Sequence, residues 1–215
     1  MSKKLPKGVY EFRGKIATKN STPGYRVYGE KLVKKKGMEY RLWDPFRSKV
    51  GAALAKGLTS FPIKADSNIL YLGASTGTTA SHIADVTEGD VYCVEFSKRV
   101  ARELMHVCRR KKNMHPIIAD ARHPWEYTNL VADADVLIQD VAQPRQAEIL
   151  TVNGHEFNFK NALLSIKSRS IDSSKKPGKV IKEELAKLRD EYEILQQINL
   201  SPFEKDHALI NLKRK

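Results

Sequence analysis

Cysteine is scarce in this chain of 215 residues, and long apolar segments are missing. The two cysteines, Cys93 and Cys108, are too few for a disulfide framework or a zinc site, so we interpret both as buried or half-buried thiols. No apolar run approaches the roughly 20 residues of a membrane span. The basic residues at the N-terminus are not followed by the apolar core of a signal peptide. These absences predict a cytoplasmic protein that makes no contact with a membrane.

Acidic residues are also scarce near the N-terminus. Residues 1–50 contain 14 Lys or Arg but only 4 Asp or Glu, whereas residues 51–215 contain 24 and 21, so most of the formal net charge of +13 lies at one end. A concentrated positive field favours an anionic partner, and without a membrane-type amphipathic helix the sequence favours nucleic acid. A basic surface that serves only solubility is the alternative.

The basic N-terminal region has a β-type pattern. Short runs of β-favouring residues at 9–12, 25–29 and 37–43 alternate with turn residues. We therefore predict a small antiparallel β domain over residues 1–54, with one basic face. A helix is predicted over 47–57, and its first turn carries Lys49, where a cation is unfavourable for the helix dipole.

Strands and helices alternate from residue 66 onwards. The sequence predicts strands at 69–72, 91–95, 115–118, 135–139, 159–166, 192–199 and 207–213, and helices near 78–85, 98–110, 144–153 and 178–190. Such alternation is typical of an α/β fold, here a mainly parallel sheet covered on both faces over residues 55–215. The connection between the last two strands is short, which implies an antiparallel final strand.

The stretch 69–79 (ILYLGASTGTT) organises this second region. A buried strand ends at Gly73, and after a tight turn Gly77 opens a helix, so backbone N–H groups lie beside any small ligand at this end of the strand. The G-x-x-x-G spacing lacks the G-x-G-x-x-G pattern of dinucleotide sites, which disfavours a dehydrogenase.

Two acidic residues end the next two strands. Glu95 can accept hydrogen bonds from ribose hydroxyls and Asp120 from an adenine amino group, because the carboxyl ends of neighbouring strands line one crevice. Phe96 and Ala121, next in sequence, can contact the base. The residues therefore favour a ligand that contains adenosine.

Several motifs together carry a family resemblance. They are 28–30 (YGE), 43–49 (WDPFRSK), 71–79 (YLGASTGTT), 94–96 (VEF), 120–122 (DAR), 139–144 (QDVAQP) and 202–208 (PFEKDHA). From about Gly8 to the C-terminus the sequence closely resembles fibrillarin, specifically the archaeal fibrillarin-like RNA 2′-O-methyltransferases. The Gly/Arg-rich N-terminal tail of eukaryotic members is missing. The resemblance implies a Rossmann-like class I methyltransferase sheet, mostly parallel with an antiparallel last strand, beside the small N-terminal β domain.

The resemblance also implies S-adenosyl-L-methionine as the cofactor. The matching positions of its binding site are Gly73, Ala74, Gly77, Thr78, Thr79, Glu95, Phe96, Asp120, Ala121, Asp140, Val141, Ala142 and Gln143. No metal is expected, because the remaining histidines show no metal-ligand spacing.

Related ribose methyltransferases use a Lys-Asp-Lys constellation with a fourth polar residue, and the matching positions are Lys49, Asp140, Lys167 and His207. The resemblance implies that Lys167 contacts the 2′-hydroxyl and stabilises developing oxyanion charge, and that Asp140 orients Lys167. Lys49 would add positive charge and His207 would hold the network in place. Which group accepts the proton stays open.

No RNA-reading module such as an RRM or a KH loop is visible. The resemblance implies a box C/D guide RNA that selects nucleotides of the target RNA, which is rRNA with tRNA as a further candidate. It also implies a particle with a Nop-family scaffold protein and a kink-turn-binding ribosomal-type protein. The alternative is a non-catalytic component with the same fold, which predicts loss of at least one of the four polar residues, and all four are present.

Overall fold

The computed structural model describes residues 5–215, which form two β-sheets with helices around them. The strands are β1 Val9–Phe12, β2 Lys15–Lys19, β3 Leu32–Lys35, β4 Met38–Leu42, β5 Ile69–Leu72, β6 Val91–Glu95, β7 Met114–Ile118, β8 Val136–Gln139, β9 Asn161–Lys167, β10 Tyr192–Asn199 and β11 His207–Arg214. The α-helices are α1 Lys49–Lys56, α2 Thr78–Val86, α3 Lys98–Cys108, α4 Gln146–Phe157, α5 Ser168–Ile171 and α6 Pro177–Leu188.

The N-terminal sheet has the strand order β1-β2-β4-β3, and all its pairs are antiparallel. The predicted small antiparallel sheet is therefore present, but the strand predicted at 25–29 is wrong, and the strands β2 and β3 were missed. In this segment the backbone N–H groups of Val27 and Tyr28 donate to the carboxylate of Glu30 at 2.9–3.0 Å, so they do not pair with a neighbouring strand.

The central sheet has the order β10-β11-β9-β8-β5-β6-β7. Neighbours from β9 to β7 are parallel, whereas β11 runs antiparallel to both β9 and β10. This confirms the predicted α/β fold with a mostly parallel sheet and an antiparallel last strand. The carboxyl ends of β5, β6, β7, β8 and β9 consequently share one edge with the start of β11.

Helix α4 is longer than the sequence pattern indicates. It continues through Gly154 to Phe157 and ends at Asn158, which adopts a left-handed conformation with φ of 50°. A glycine fits inside this helix because a Cβ at Gly154 would clash with the hydroxyl oxygen of Tyr192. The close approach of β10, which local sequence does not show, thus explains why a glycine stands inside the helix.

Alternate residues of the central strands face two separate apolar clusters. Ile69 and Tyr71 pack with the N-terminal sheet, α1 and α2, whereas Leu70 and Leu72 pack on the other face with α4 and α6. The predicted boundary between residues 54 and 55 falls inside α1. Cys93 is buried and Cys108 half-buried, as predicted. No helix within residues 5–215 is both long and apolar enough to span a membrane.

Candidate active site

The turn after β5 needs glycine because other chain segments lie against it. Gly73 has a φ of +77°, and a Cβ there would lie 2.9 Å from the carbonyl oxygen of Asp140. The N–H groups of Gly73 and Ala74 donate to the carbonyl of Val94 at 2.9 and 3.0 Å. These contacts fix the turn between the ends of β6 and β8. The N-terminus of α2 follows the turn directly along the chain.

A cavity of about 260 Å³ opens at this edge of the sheet. The predicted cofactor residues that line it are Gly73, Glu95, Phe96, Asp120, Ala121, Asp140, Val141, Ala142 and Gln143. Sequence reasoning missed Ser75, which also lines the cavity and whose N–H donates to the Glu95 carboxylate at 2.9 Å. The position of Ser75 between Gly73 and Gly77 was the sequence signal that could have identified it as a cavity residue.

Four predicted cofactor residues do not line this cavity: Ala74, Gly77, Thr78 and Thr79. Ala74 is buried in the core, and Gly77 forms the N-cap of α2 with a φ of 86°. The Thr79 hydroxyl donates to Ser48 Oγ at 3.0 Å, and Ser48 in turn caps α1 by accepting from the N–H of Gly51. Thr79 therefore links α2 to the start of α1, where Lys49 lies.

The two acidic residues of the cavity are held in different ways. Glu95 accepts hydrogen bonds from the backbone N–H groups of Ser75 and Ser97, at 2.9 and 2.8 Å. Asp120 is paired with the guanidinium of Arg122 at 2.5 Å, and this hydrogen bond is the main cause that lowers the pKa of Asp120. Both side chains place carboxyl oxygens, which can accept hydrogen bonds, at the cavity.

Asp140 lies between two lysines. The Lys167 ammonium is 2.9 Å from Asp140 Oδ1 and donates to the Asp140 carbonyl oxygen at 2.7 Å. Lys49 is 3.2 Å from the same carboxylate. The three side chains are only 14–15% exposed, so their interactions are weakly screened by solvent. The end of β9 is fixed further by buried Gln146, which accepts from the N–H of Lys167 at 3.0 Å.

His207 lies directly opposite Lys167 in the antiparallel pair of β9 and β11. Its Nδ1 atom is 3.2 Å from Glu204, and the other carboxylate oxygen of Glu204 is 3.8 Å from the Lys49 ammonium. Burial and then the charge of Lys49 lower the pKa of His207, and Glu204 partly opposes them. The structure therefore connects His207 to the lysines through Glu204, a residue of the 202–208 motif to which sequence reasoning gave no role.

The geometry joins the two sets of predicted residues. Lys49, Asp140 and Lys167, with His207 beside them, form a charged cluster. Asp140 and Lys167 of this cluster also line the cavity. A ligand in the cavity can thus present a reactive group to the Lys167 ammonium, with Lys49 and His207 on the outer side. This arrangement suits a transfer reaction in which negative charge develops on an oxygen next to Lys167.

Comparison with known proteins gives consistent results. The Fibrillarin family model matches residues 1–215. The fibrillarin-like rRNA/tRNA 2′-O-methyltransferase of Pyrococcus furiosus is 48% identical over 204 residues, which cover 93% of this chain and 90% of the relative. The structure of Aeropyrum pernix fibrillarin in complex with natively bound S-adenosyl-L-methionine has a TM-score of 0.85 at 46% identity, covering 92% of this chain and 88% of that one.

A fibrillarin/Nop5p complex contains a further similar chain. It has a TM-score of 0.91 at 35% identity and covers 99% of this chain and 100% of that one. The family model spans the whole sequence, and relatives at nearly half identity align along almost all of it. The chain therefore belongs to the fibrillarin family.

Proposed function

We propose that this protein is an S-adenosyl-L-methionine-dependent methyltransferase that methylates ribose 2′-hydroxyls of RNA. The observation that carries this proposal is the cluster of Lys49, Asp140 and Lys167, with His207 beside it, at the rim of the cavity after β5. A binding protein with the same fold would have no need to hold two ammonium groups on one poorly exposed carboxylate.

The residues of the cavity fit the cofactor. Glu95 offers acceptor oxygens for the ribose, Asp120 for the adenine amino group, and Phe96 and Ala121 apolar contact for the base. Gly73 also lines the cavity, and without a side chain its backbone can lie close to both the cofactor and Asp140. When bound, the cofactor supplies the methyl group of a sulfonium for in-line displacement. Asp140 to Gln143 would lie along its methionine end.

Lys167 is the residue best placed to act on the attacking hydroxyl. An ammonium has three N–H donors. Lys167 donates one to the Asp140 carbonyl oxygen and lies 2.9 Å from the Asp140 carboxylate, so a donor remains for the 2′-oxygen. The cation then stabilises the negative charge that develops on this oxygen during methyl transfer. Asp140 fixes the direction of Lys167, while Lys49 adds positive charge near the substrate phosphate and His207 supports the network from β11.

We further propose that the enzyme acts in a particle. The similar chain in the fibrillarin/Nop5p complex supports a Nop-family scaffold protein as a partner. A box C/D guide RNA would select the target nucleotides in rRNA and tRNA, and a kink-turn-binding ribosomal-type protein would complete the assembly. The chain's archaeal relatives support a cytoplasmic particle.

The proposal is tested by methyl transfer to guided target RNA in the reconstituted particle. Lys167→Ala should lower the single-turnover rate by roughly 10² to 10⁴-fold, because the group that stabilises the oxyanion is lost. Asp140→Ala should also abolish most of the rate. Calorimetry should show that Lys167→Ala still binds S-adenosyl-L-methionine.

Lys160→Ala is the matched control, because Lys160 is exposed and immediately precedes β9, at the end opposite Lys167. It should methylate RNA at the wild-type rate. Full activity of both Lys167→Ala and Asp140→Ala would refute the assigned roles. Tight binding of NAD, with none of S-adenosyl-L-methionine, would refute the proposed cofactor.

A further inference from the structure

An exposed aromatic pair stands beside the charged cluster. Phe46 is 61% exposed, and its ring meets that of Phe203 edge to face, with the centroids 5.0 Å apart. Phe46 precedes Lys49 by three residues, and Phe203 directly precedes Glu204, which lies near Lys49. A site that bound its ligand through charge alone would not need an apolar surface at this position.

The aromatic pair forms one end of a long groove. A cleft of about 680 Å³ extends from Phe46 and Phe203 to Lys15 and Lys31 on the N-terminal sheet. A second cleft of about 700 Å³ continues across the sheet and shares Lys15, Lys31 and Leu42 with the first. The two clefts adjoin at these three residues. Together they are called the groove, which begins at the Phe46–Phe203 pair beside the charged cluster and reaches across the N-terminal sheet.

The groove is strongly basic. Six of its residues are exposed cations: Arg13, Lys15, Lys31, Lys34, Lys35 and Arg47. Within residues 5–215, none of these six forms a salt bridge with a carboxylate.

Acidic residues do little to offset these cations. Of the acids that line the groove, Glu30 is buried against Arg41, which leaves Glu11 and Asp44 nearer the surface. Exposed cations without carboxylate partners along two adjoining clefts form a field that attracts a polyanion.

We propose that this groove binds the sugar-phosphate backbone of the RNA on one side of the target ribose. The inference rests on the proposed function, because the target ribose must reach Lys167 and its chain must then continue away from that point. The cations contact successive phosphates, and the Phe46–Phe203 pair packs against the ribose next to the target. Contacts to phosphate and sugar suit a protein that leaves sequence selection to base pairing.

The first test compares RNA dependence in the assembled particle. Lys15→Ala/Lys31→Ala removes two cations that line both clefts, so the KM for target RNA should rise about tenfold or more. The slope of log KM against log salt concentration should decrease by about two, one for each lost phosphate contact. The kcat and the affinity for S-adenosyl-L-methionine should not change, because neither lysine touches the charged cluster or the cofactor cavity.

Lys179→Ala/Lys182→Ala is the matched control. Both lysines are exposed on α6, which packs on the other face of the central sheet. This variant should keep the wild-type KM and salt dependence. An unchanged KM in the groove variant, or an equal increase in the control, would overturn the proposal.

Crosslinking separates this proposal from the proposed function. A photoreactive nucleotide next to the target position should crosslink to peptides containing Phe46 or Phe203, identified by mass spectrometry, whether or not methyl transfer occurs. Phe46→Ala should reduce that crosslink. A particle without methyl transfer but with this crosslink would refute only the enzymatic function. If instead the groove variant fails to bind the scaffold protein in the absence of RNA, the groove is a protein interface and the proposal is wrong.

Discussion

The guanidinium of Arg41 is 2.8 Å from the carboxylate of Asp85, and both side chains are fully buried. Arg41 comes from β4 of the N-terminal sheet, whereas Asp85 comes from α2, the helix that follows β5 of the central sheet. Arg41 also contacts Glu30 at 2.5 Å, and Asp85 also pairs with buried Lys111. One charged network thus connects the N-terminal sheet to α2, the helix that follows the turn after β5.

Removal of Arg41 should destabilise the whole protein. Arg41→Met keeps most of the side-chain volume but leaves buried Glu30 without its cation and Asp85 with Lys111 as its only remaining cation, so the free energy of unfolding should fall by about 3–5 kcal/mol. Urea denaturation measures this change. The control is Arg102→Met on the exposed side of α3, which should stay within about 0.5 kcal/mol of the wild type. Equal stabilities of the two variants would show that the network contributes little.

Substitution of Gly73 should impair cofactor binding. In Gly73→Ala the new Cβ meets the backbone of Asp140, and the φ of +77° is strained for alanine, so the turn must move. We expect a loss of about 1–3 kcal/mol in the free energy of unfolding, with at least about tenfold weaker binding of S-adenosyl-L-methionine, or about 1.4 kcal/mol. Calorimetry and urea denaturation measure the two effects.

Gly178→Ala provides the comparison for that variant. A Cβ at Gly178 meets nothing within 4 Å, and its φ is not positive, so the substitution should leave both quantities unchanged or slightly improve stability. Wild-type cofactor affinity in Gly73→Ala would contradict the tight-turn interpretation.

Stability should depend on pH through His82. This residue is fully buried and stacked on Trp43, with ring centroids 4.7 Å apart, and its ring nitrogens contact the hydroxyls of Thr18 and Tyr28. Burial, followed by the charges of Arg41 and Lys111, holds the pKa of His82 well below its usual value. The folded protein therefore keeps His82 neutral at a pH where the unfolded chain binds a proton.

The sign of the effect follows from this difference. Above about pH 6.5 the histidine is neutral in both states, and its contribution to the free energy of unfolding is fully present. Below that pH only the unfolded state takes up the proton, so the free energy of unfolding should fall by up to about 1.4 kcal/mol per pH unit. His82→Gln should flatten this slope between about pH 6.5 and pH 5. A smaller slope should remain, because the pKa of His207 is also lowered.

Urea denaturation at several pH values tests this prediction. His106→Gln, at an exposed position of α3, should keep the wild-type slope. If His82→Gln also retains it, the acid sensitivity has another source.

The sequence by itself determined the strands of the central sheet, most of the helices around it and the residues at the carboxyl ends of the strands, whereas the end of α4 and the short α5 did not follow from it. Short, mainly apolar runs that are followed by Gly73, Glu95 or Asp140 are local patterns, and the order of strands and helices then brings those ends to one edge. The short last connection likewise determined that His207 starts an antiparallel strand, which the structure aligns opposite Lys167.

Only the tertiary structure decided which side chains meet. Thr79 lies in the predicted cofactor motif, yet its hydroxyl contacts Ser48, a residue 31 positions earlier in the chain. Glu204 connects His207 to Lys49, and Arg41 meets Asp85, through contacts between distant segments. The pairing of the N-terminal strands also depends on such contacts. Periodicity reports which face of an element is buried, but a hydrogen-bond partner is fixed only when separate elements pack together.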